Sequence, residues 1–173
     1  MTQTLVVVAN GAKARFFRVE PRDVPELESG PDLALLAETR NSEVGAHDRD
    51  VFASTKSGRN KLSRGGSKAA HAYDDHRSDH RDEFERRFAG EVAQVTADYV
   101  RTQKPRRLVL AAGPHMMGSL RKEINGHAMA ALDIHECQGD VTDLSPRDLH
   151  KHLASQSLLP PRQPPRGPSP LRT

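Results

Sequence analysis

Thirteen residues, Lys56-Ser57-Gly58-Arg59-Asn60-Lys61-Leu62-Ser63-Arg64-Gly65-Gly66-Ser67-Lys68, carry five cations and no acid. The cations are Lys56, Arg59, Lys61, Arg64 and Lys68. The run has too few apolar residues to bury a face, and its glycines resist helix and strand alike. Adjacent Gly65 and Gly66 let the backbone turn its N–H groups toward one point, where the flanking cations add charge. That is the chemistry of an anion-binding nest, or of contact with a nucleic-acid backbone. A solvated basic loop has the same composition.

Just downstream, His71, His76 and His80 lie among Asp74, Asp75, Asp79 and Asp82. His76 and His80 are four apart, so on a helix they share a face and with Asp79 form a candidate metal set. The plainer reading is a polar helix start. Asp75 with His80 is a candidate acid–base pair. Ser67 with His71 is a candidate nucleophile and base, although nothing nearby supplies a third, orienting group. No cofactor is expected. Cys137 reads as a small buried apolar residue. His115-Met116-Met117-Gly118 follows Gly113-Pro114 at a strand end, where helix-start amides can take a phosphate. A cap that places Met117 in the core accounts for the same residues.

These groups need a frame. Leu5 to Ala9 is a continuous apolar run suited to a strand buried on both faces. Asn10-Gly11 turns the chain, and Ala14 to Val19 returns it. Leu33 to Thr39 fits helix or strand by period; the preceding Pro31-Asp32 favours a third antiparallel strand. From Arg40 to about Ser78 almost nothing is apolar, which predicts a long loop with the basic run in its middle. Phe84, Phe88, Val92, Val95 and Tyr99 recur at helical spacing and predict a helix from Asp79 to Gln103, capped by Ser78 or Asp79. A strand from Arg107 to Ala112, a helix from His115 to Asn125 and a strand from Ala131 to Cys137 follow. That last strand is expected to turn Leu132 and Ile134 inward. Ser145-Pro146-Arg147-Asp148 opens a final helix through Leu149 and Leu153. The fold class is α/β: three antiparallel strands, a long loop at 40–78, then helix–strand–helix–strand–helix in one mixed sheet.

Composition narrows the function classes. Over 173 residues only 4% are aromatic and none is Trp, which argues against an aromatic platform for sugars or single-stranded bases. The net charge of +3 permits an RNA or ribosome partner without requiring one. One cysteine allows no internal disulfide and no cysteine-based zinc site. No signal-like or membrane-spanning stretch is found, so a cytoplasmic location is expected. Residues 1–155 are expected to form the domain. Residues 156–173, rich in Pro and Arg, are expected to be an extended, disordered tail.

The layout resembles two related groups. One is the RNase H-like central domain of archaeal and eukaryotic class I release factors, whose Arg-Gly-Gly-Gln loop precedes a long helix. Here Arg64-Gly65-Gly66-Ser67-Lys68-Ala69-Ala70 takes that place. The second, closer group is the bacterial host attachment protein family, labelled as required for attachment to host cells. The resemblance covers about the first 155 residues. It rests on Val8-Ala9-Asn10-Gly11-Ala12-Lys13-Ala14-Arg15, on Gly65-Gly66 with His71-Ala72-Tyr73, and on His80 to Phe88. Leu108-Val109-Leu110 with Gly113-Pro114, and Asp143-Leu144-Ser145-Pro146, complete it.

The release-factor glutamine that places the attacking water is replaced by Ser67, too short to reach as glutamine does. The resemblance therefore implies binding of tRNA or ribosomal RNA without catalysis, through Lys56, Arg59, Lys61, Arg64, Gly65, Gly66, Ser67 and Lys68. Two alternatives follow from it. One is an ester hydrolase, acting for example on peptidyl-tRNA, with Ser67 in place of the glutamine. The other is a host-cell attachment factor acting indirectly.

Overall fold

The structure is a computed structural model; it describes residues 3–24, 27–44, 69–126 and 132–167, with backbone alone for 69–81. Five strands form one mixed sheet: β1 (Thr4–Ala9), β2 (Lys13–Glu20), β3 (Asp32–Arg40), β4 (Arg107–Ala112) and β5 (Asp133–Gln138). Their order is β3-β2-β1-β4-β5. β1 and β2 pair antiparallel, as do β2 and β3, whereas β4 runs parallel to both β1 and β5. This is the mixed α/β sheet expected from the sequence: an antiparallel meander extended by crossover strands.

The helices are α1 (Ala69–Gln103), α2 (Pro114–Asn125) and α3 (Pro146–Ser155). They cover both faces, and the two central strands show why those runs are apolar without a break. Leu5, Val7 and Ala9 of β1, with Leu108, Leu110 and Ala112 of β4, face a core built with Phe88, Val92, Met117 and Leu120 of α1 and α2. Val6, Val8, Val109 and Ala111 alternate onto the other face and meet Leu149 and Leu153 of α3. A period of two turned both ways gives a continuous apolar string.

Four expectations are corrected. The helix begins at Ala69, so residues 69–78 are not loop and Ser78 and Asp79 are interior helical residues rather than caps. No Pro or Gly lies between Gly66 and Gly90, and Ala69, Ala70 and Ala72 favour helix without needing a buried stripe. The remainder of the expected loop, 45–68, lies outside the described residues. The third correction is at β5, an edge strand. Leu132 packs on the first core, but Ile134 is 37% exposed because the helices do not reach that edge.

The fourth concerns the tail. As far as Gly167 it is extended but docked, not disordered. Leu159 is buried in the second core with Leu158 against it, and Gly30 and Gln163 pair backbone to backbone in both directions (3.1 and 2.9 Å). Arg162 ion-pairs with Asp32 and donates to Ser29 Oγ at 2.9 Å. Proline-rich composition excludes a helix there, but two leucines hold the segment down.

A candidate functional site at the strand ends

The three parallel strands finish on one edge of the sheet, at Asn10 after β1, Gly113 after β4 and Gly139 after β5. Such strand ends are where α/β sheets usually carry their sites. Asn10 is the hub. Its Oδ1 accepts from the amides of Ala12 and Lys13, both at 2.9 Å, which forms the β1–β2 turn. Its Nδ2 donates across the edge to Asp140 Oδ2 (2.9 Å) and Thr142 Oγ1 (2.8 Å). Thr142, fully buried, donates its hydroxyl to Asp140 Oδ1 at 2.6 Å.

Around this clasp Lys13 Nζ reaches Asp143 at 2.5 Å, and Arg15 Nη1 donates to the carbonyls of Thr142 (3.0 Å) and Leu144 (2.7 Å). Burial pushes the Asp140 carboxyl up, but hydrogen bonds from Thr142 and Asn10, with the charge of Lys13, hold it below the usual carboxylate range. Asp140 is thus an anchored anion at neutral pH, and a poor general acid.

On the α1 side of the edge, His115 lies 3.0 Å from Glu85 and 3.6 Å from Asp82. The hydrogen bond and charge of Glu85 push the His115 pKa up. A positive ring at the start of α2 opposes the helix dipole, and the two carboxylates of α1 compensate it. Glu85 also sits against the β1–β2 turn: a Cβ built on Gly11 would lie 3.3 Å from its Oε2. Met116 and Met117 are both buried, so the expected placement of Met117 in the core is observed.

The chain leaves this edge toward the basic run. Asn41 Nδ2 donates to the Gly11 carbonyl at 2.9 Å, and the Asn41 amide to that of Ala12 at 2.8 Å. Glu43 then pairs with Arg87 of α1 at 3.3 Å. The exit from β3 is therefore tied to the helix that follows the run. Lys56, Arg59, Lys61, Arg64, Gly65, Gly66, Ser67 and Lys68 themselves lie outside the described residues. His76, Asp79 and His80 fall in α1, but their side chains are outside the described residues, as are those of Asp75 and His71.

The sequence reading marked Asn10 only as a turn, and missed Asp140, Thr142 and the His115–Glu85 pair. Nothing in spacing announces a contact across 130 residues. A Cys–His contact was missed too: Cys137 Sγ lies 3.7 Å from His152 Nε2, which also meets Gln156 Nε2 at 3.1 Å. Burial pushes the Cys137 thiol up against a weaker opposing bond from Gln156, so it is no activated nucleophile. Cys137 is buried, as expected of a small packing residue.

Among the described residues no helix is long and apolar enough to cross a membrane, and no cluster of three or more His, Cys, Asp or Glu has metal-binding geometry. No curated protein matches the sequence. A family model does, across residues 5–153 and hence all five strands: the chain belongs to the family described as protein required for attachment to host cells.

Proposed function

We propose that this chain is a non-catalytic RNA-binding module that presents the basic run Lys56 to Lys68 to the backbone of tRNA or ribosomal RNA. The observation that carries the reading is the closure of the segment holding that run. Its exit is fixed by Asn41 on the β1–β2 turn and by Glu43 on Arg87 of α1, the helix into which the run leads. Five cations without an acid are thereby confined to one excursion of chain instead of being spread over the surface. The polar groups at the strand ends support a binding role over catalysis. Asp140, Thr142 and His115 are each held by another protein group, and the resemblance of Arg64-Gly65-Gly66 to a release-factor loop lacks its glutamine.

The test is equilibrium binding to tRNA and to ribosomes across a salt series, beside the double variant Lys61→Glu/Arg64→Glu. If all five cations engage single-stranded backbone, log K falls against log salt with a slope of roughly −3.5. The variant loses binding while its circular dichroism is unchanged. Binding that ignores salt, or that survives the charge reversal, sinks the proposal. The second reading is the family description itself, a role in attachment to host cells, for which membership over residues 5–153 is the supporting observation. Exclusive recovery in the cytoplasmic fraction would dispose of direct adhesion.

A further inference from the structure

The face of the sheet away from α1 and α2 holds a groove of about 700 Å³ between α3 and the C-terminal strap. Arg147, His150 and Lys151 line one wall, and Arg162, Gln163 and the strap prolines line the other. Two features of this groove have no structural explanation within the protein.

The first is His150. It is fully buried, yet neither ring nitrogen has a hydrogen-bond partner among the described residues. Buried polar groups are nearly always satisfied, and each one left unmet destabilises the fold. Its neighbours on α3, Leu149 and Leu153, are also buried, and an apolar side chain would fill the same space without that loss. Burial pulls the His150 pKa down, so at neutral pH the ring offers one N–H donor and one lone pair.

The second is charge. Arg147 and Lys151 stand one helical turn apart, both exposed, and neither has an ion-pair partner among the described residues. Like charges at that spacing disfavour a helix. The groove's remaining ions are occupied: Asp148 accepts from the Ser145 hydroxyl at 2.5 Å, and Arg162 holds Asp32. What is unmet in the groove is therefore two cations at its rim and a neutral donor–acceptor pair on its floor.

We propose that this groove binds a small hydroxyl-bearing phosphate ester, of the class that includes sugar phosphates and nucleoside monophosphates. The phosphate sits between Arg147 and Lys151, and a hydroxyl reaches His150, donating to one ring nitrogen and accepting from the other. Phosphate suits the rim because guanidinium and ammonium groups both pair with its oxygens. A hydroxyl suits the floor because it is donor and acceptor at one atom.

The experiment is a titration of the full chain with ribose 5-phosphate, adenosine monophosphate and inorganic phosphate. It is read by long-range proton–nitrogen correlation of the histidine rings. The expected result is a saturable shift of the His150 ring nitrogens with either ester, tighter than inorganic phosphate, with the rings of His115 and His152 unmoved. The nucleotide and sugar arms separate a contribution from the base. The surface variant Arg147→Ala/Lys151→Ala, which leaves the core untouched, weakens binding by at least about tenfold. Ester binding that leaves the His150 ring unmoved, affinity no better than inorganic phosphate, or no saturable shift at millimolar ligand each overturns the proposal.

Discussion

Asn10 shows how one side chain can join distant parts of a chain. Its amide oxygen shapes a turn with its immediate neighbours, and its amide nitrogen fastens that turn to the loop after β5. Asn10→Ala strips partners from the Ala12 and Lys13 amides and from Asp140, and should cost about 1–3 kcal/mol in urea unfolding. Asn10→Asp keeps the turn acceptor but sets a second carboxylate against Asp140. Its loss should shrink as pH falls and the pair protonates, whereas the alanine variant should show no such recovery.

Two histidines set opposite pH dependences. The His115 pKa is raised by Glu85 and Asp82, against burial and Lys122. Its stabilisation is fully present below the ordinary value of 6.5 and is lost as pH rises through the higher folded value. The His150 pKa is lowered by burial in a groove that also holds Arg147, Asp148, Lys151 and Arg162. Its contribution is present above 6.5 and lost as pH falls toward the lower folded value. Urea unfolding from about pH 5 to pH 8 should show His115→Gln flattening the alkaline side and His150→Phe the acid side. The same side changing in both variants would break this assignment.

At the scale of elements, the sequence was most readable where burial imposes a period. β1 and β4 are apolar without a gap because both faces are covered, and the α1 stripe from Phe88 onward packs as its spacing implies. The start of α1 was not readable that way. Helix from Ala69 on rests on propensity and on the absence of breakers, which leave no apolar signature. Ile134 misled for a related reason: alternation says which side chains share a face, but not whether another element covers it. Short-range chemistry was the most dependable guide. Ser145 caps α3 as its sequence suggests, accepting from the Asp148 amide at 3.1 Å and donating to its carboxylate. Ser145→Ala should cost about 1 kcal/mol, read by thermal unfolding. Ser145→Asp should recover part of that loss, and an unchanged Ser145→Ala protein would remove the cap from the account.

For the molecule as a whole, one face of the sheet is closed by two helices and the other by a single ten-residue helix with the C-terminal strap beside it. The strap is held by two kinds of contact, and their expected worth differs. Leu159 is 4% exposed within the second core. The Arg162–Asp32 pair is half open to water on the Asp32 side, where ion pairs typically contribute less than about 1 kcal/mol. Leu159→Ala should therefore cost about 2–3 kcal/mol, lowering Tm by roughly 5–10 °C, while Arg162→Ala should cost less than half as much. Cutting the chain after Gln156 should cost at least as much as Leu159→Ala, because Leu33, Leu149 and Leu153 would lose their cover together. Calorimetry on the three proteins decides the matter. If Arg162→Ala costs more than Leu159→Ala, the strap is pinned by charge, and raised salt should then release it. If apolar burial holds it, salt leaves Tm nearly unchanged, and the wall of the His150 groove persists under the ionic conditions that would strip RNA from the basic run.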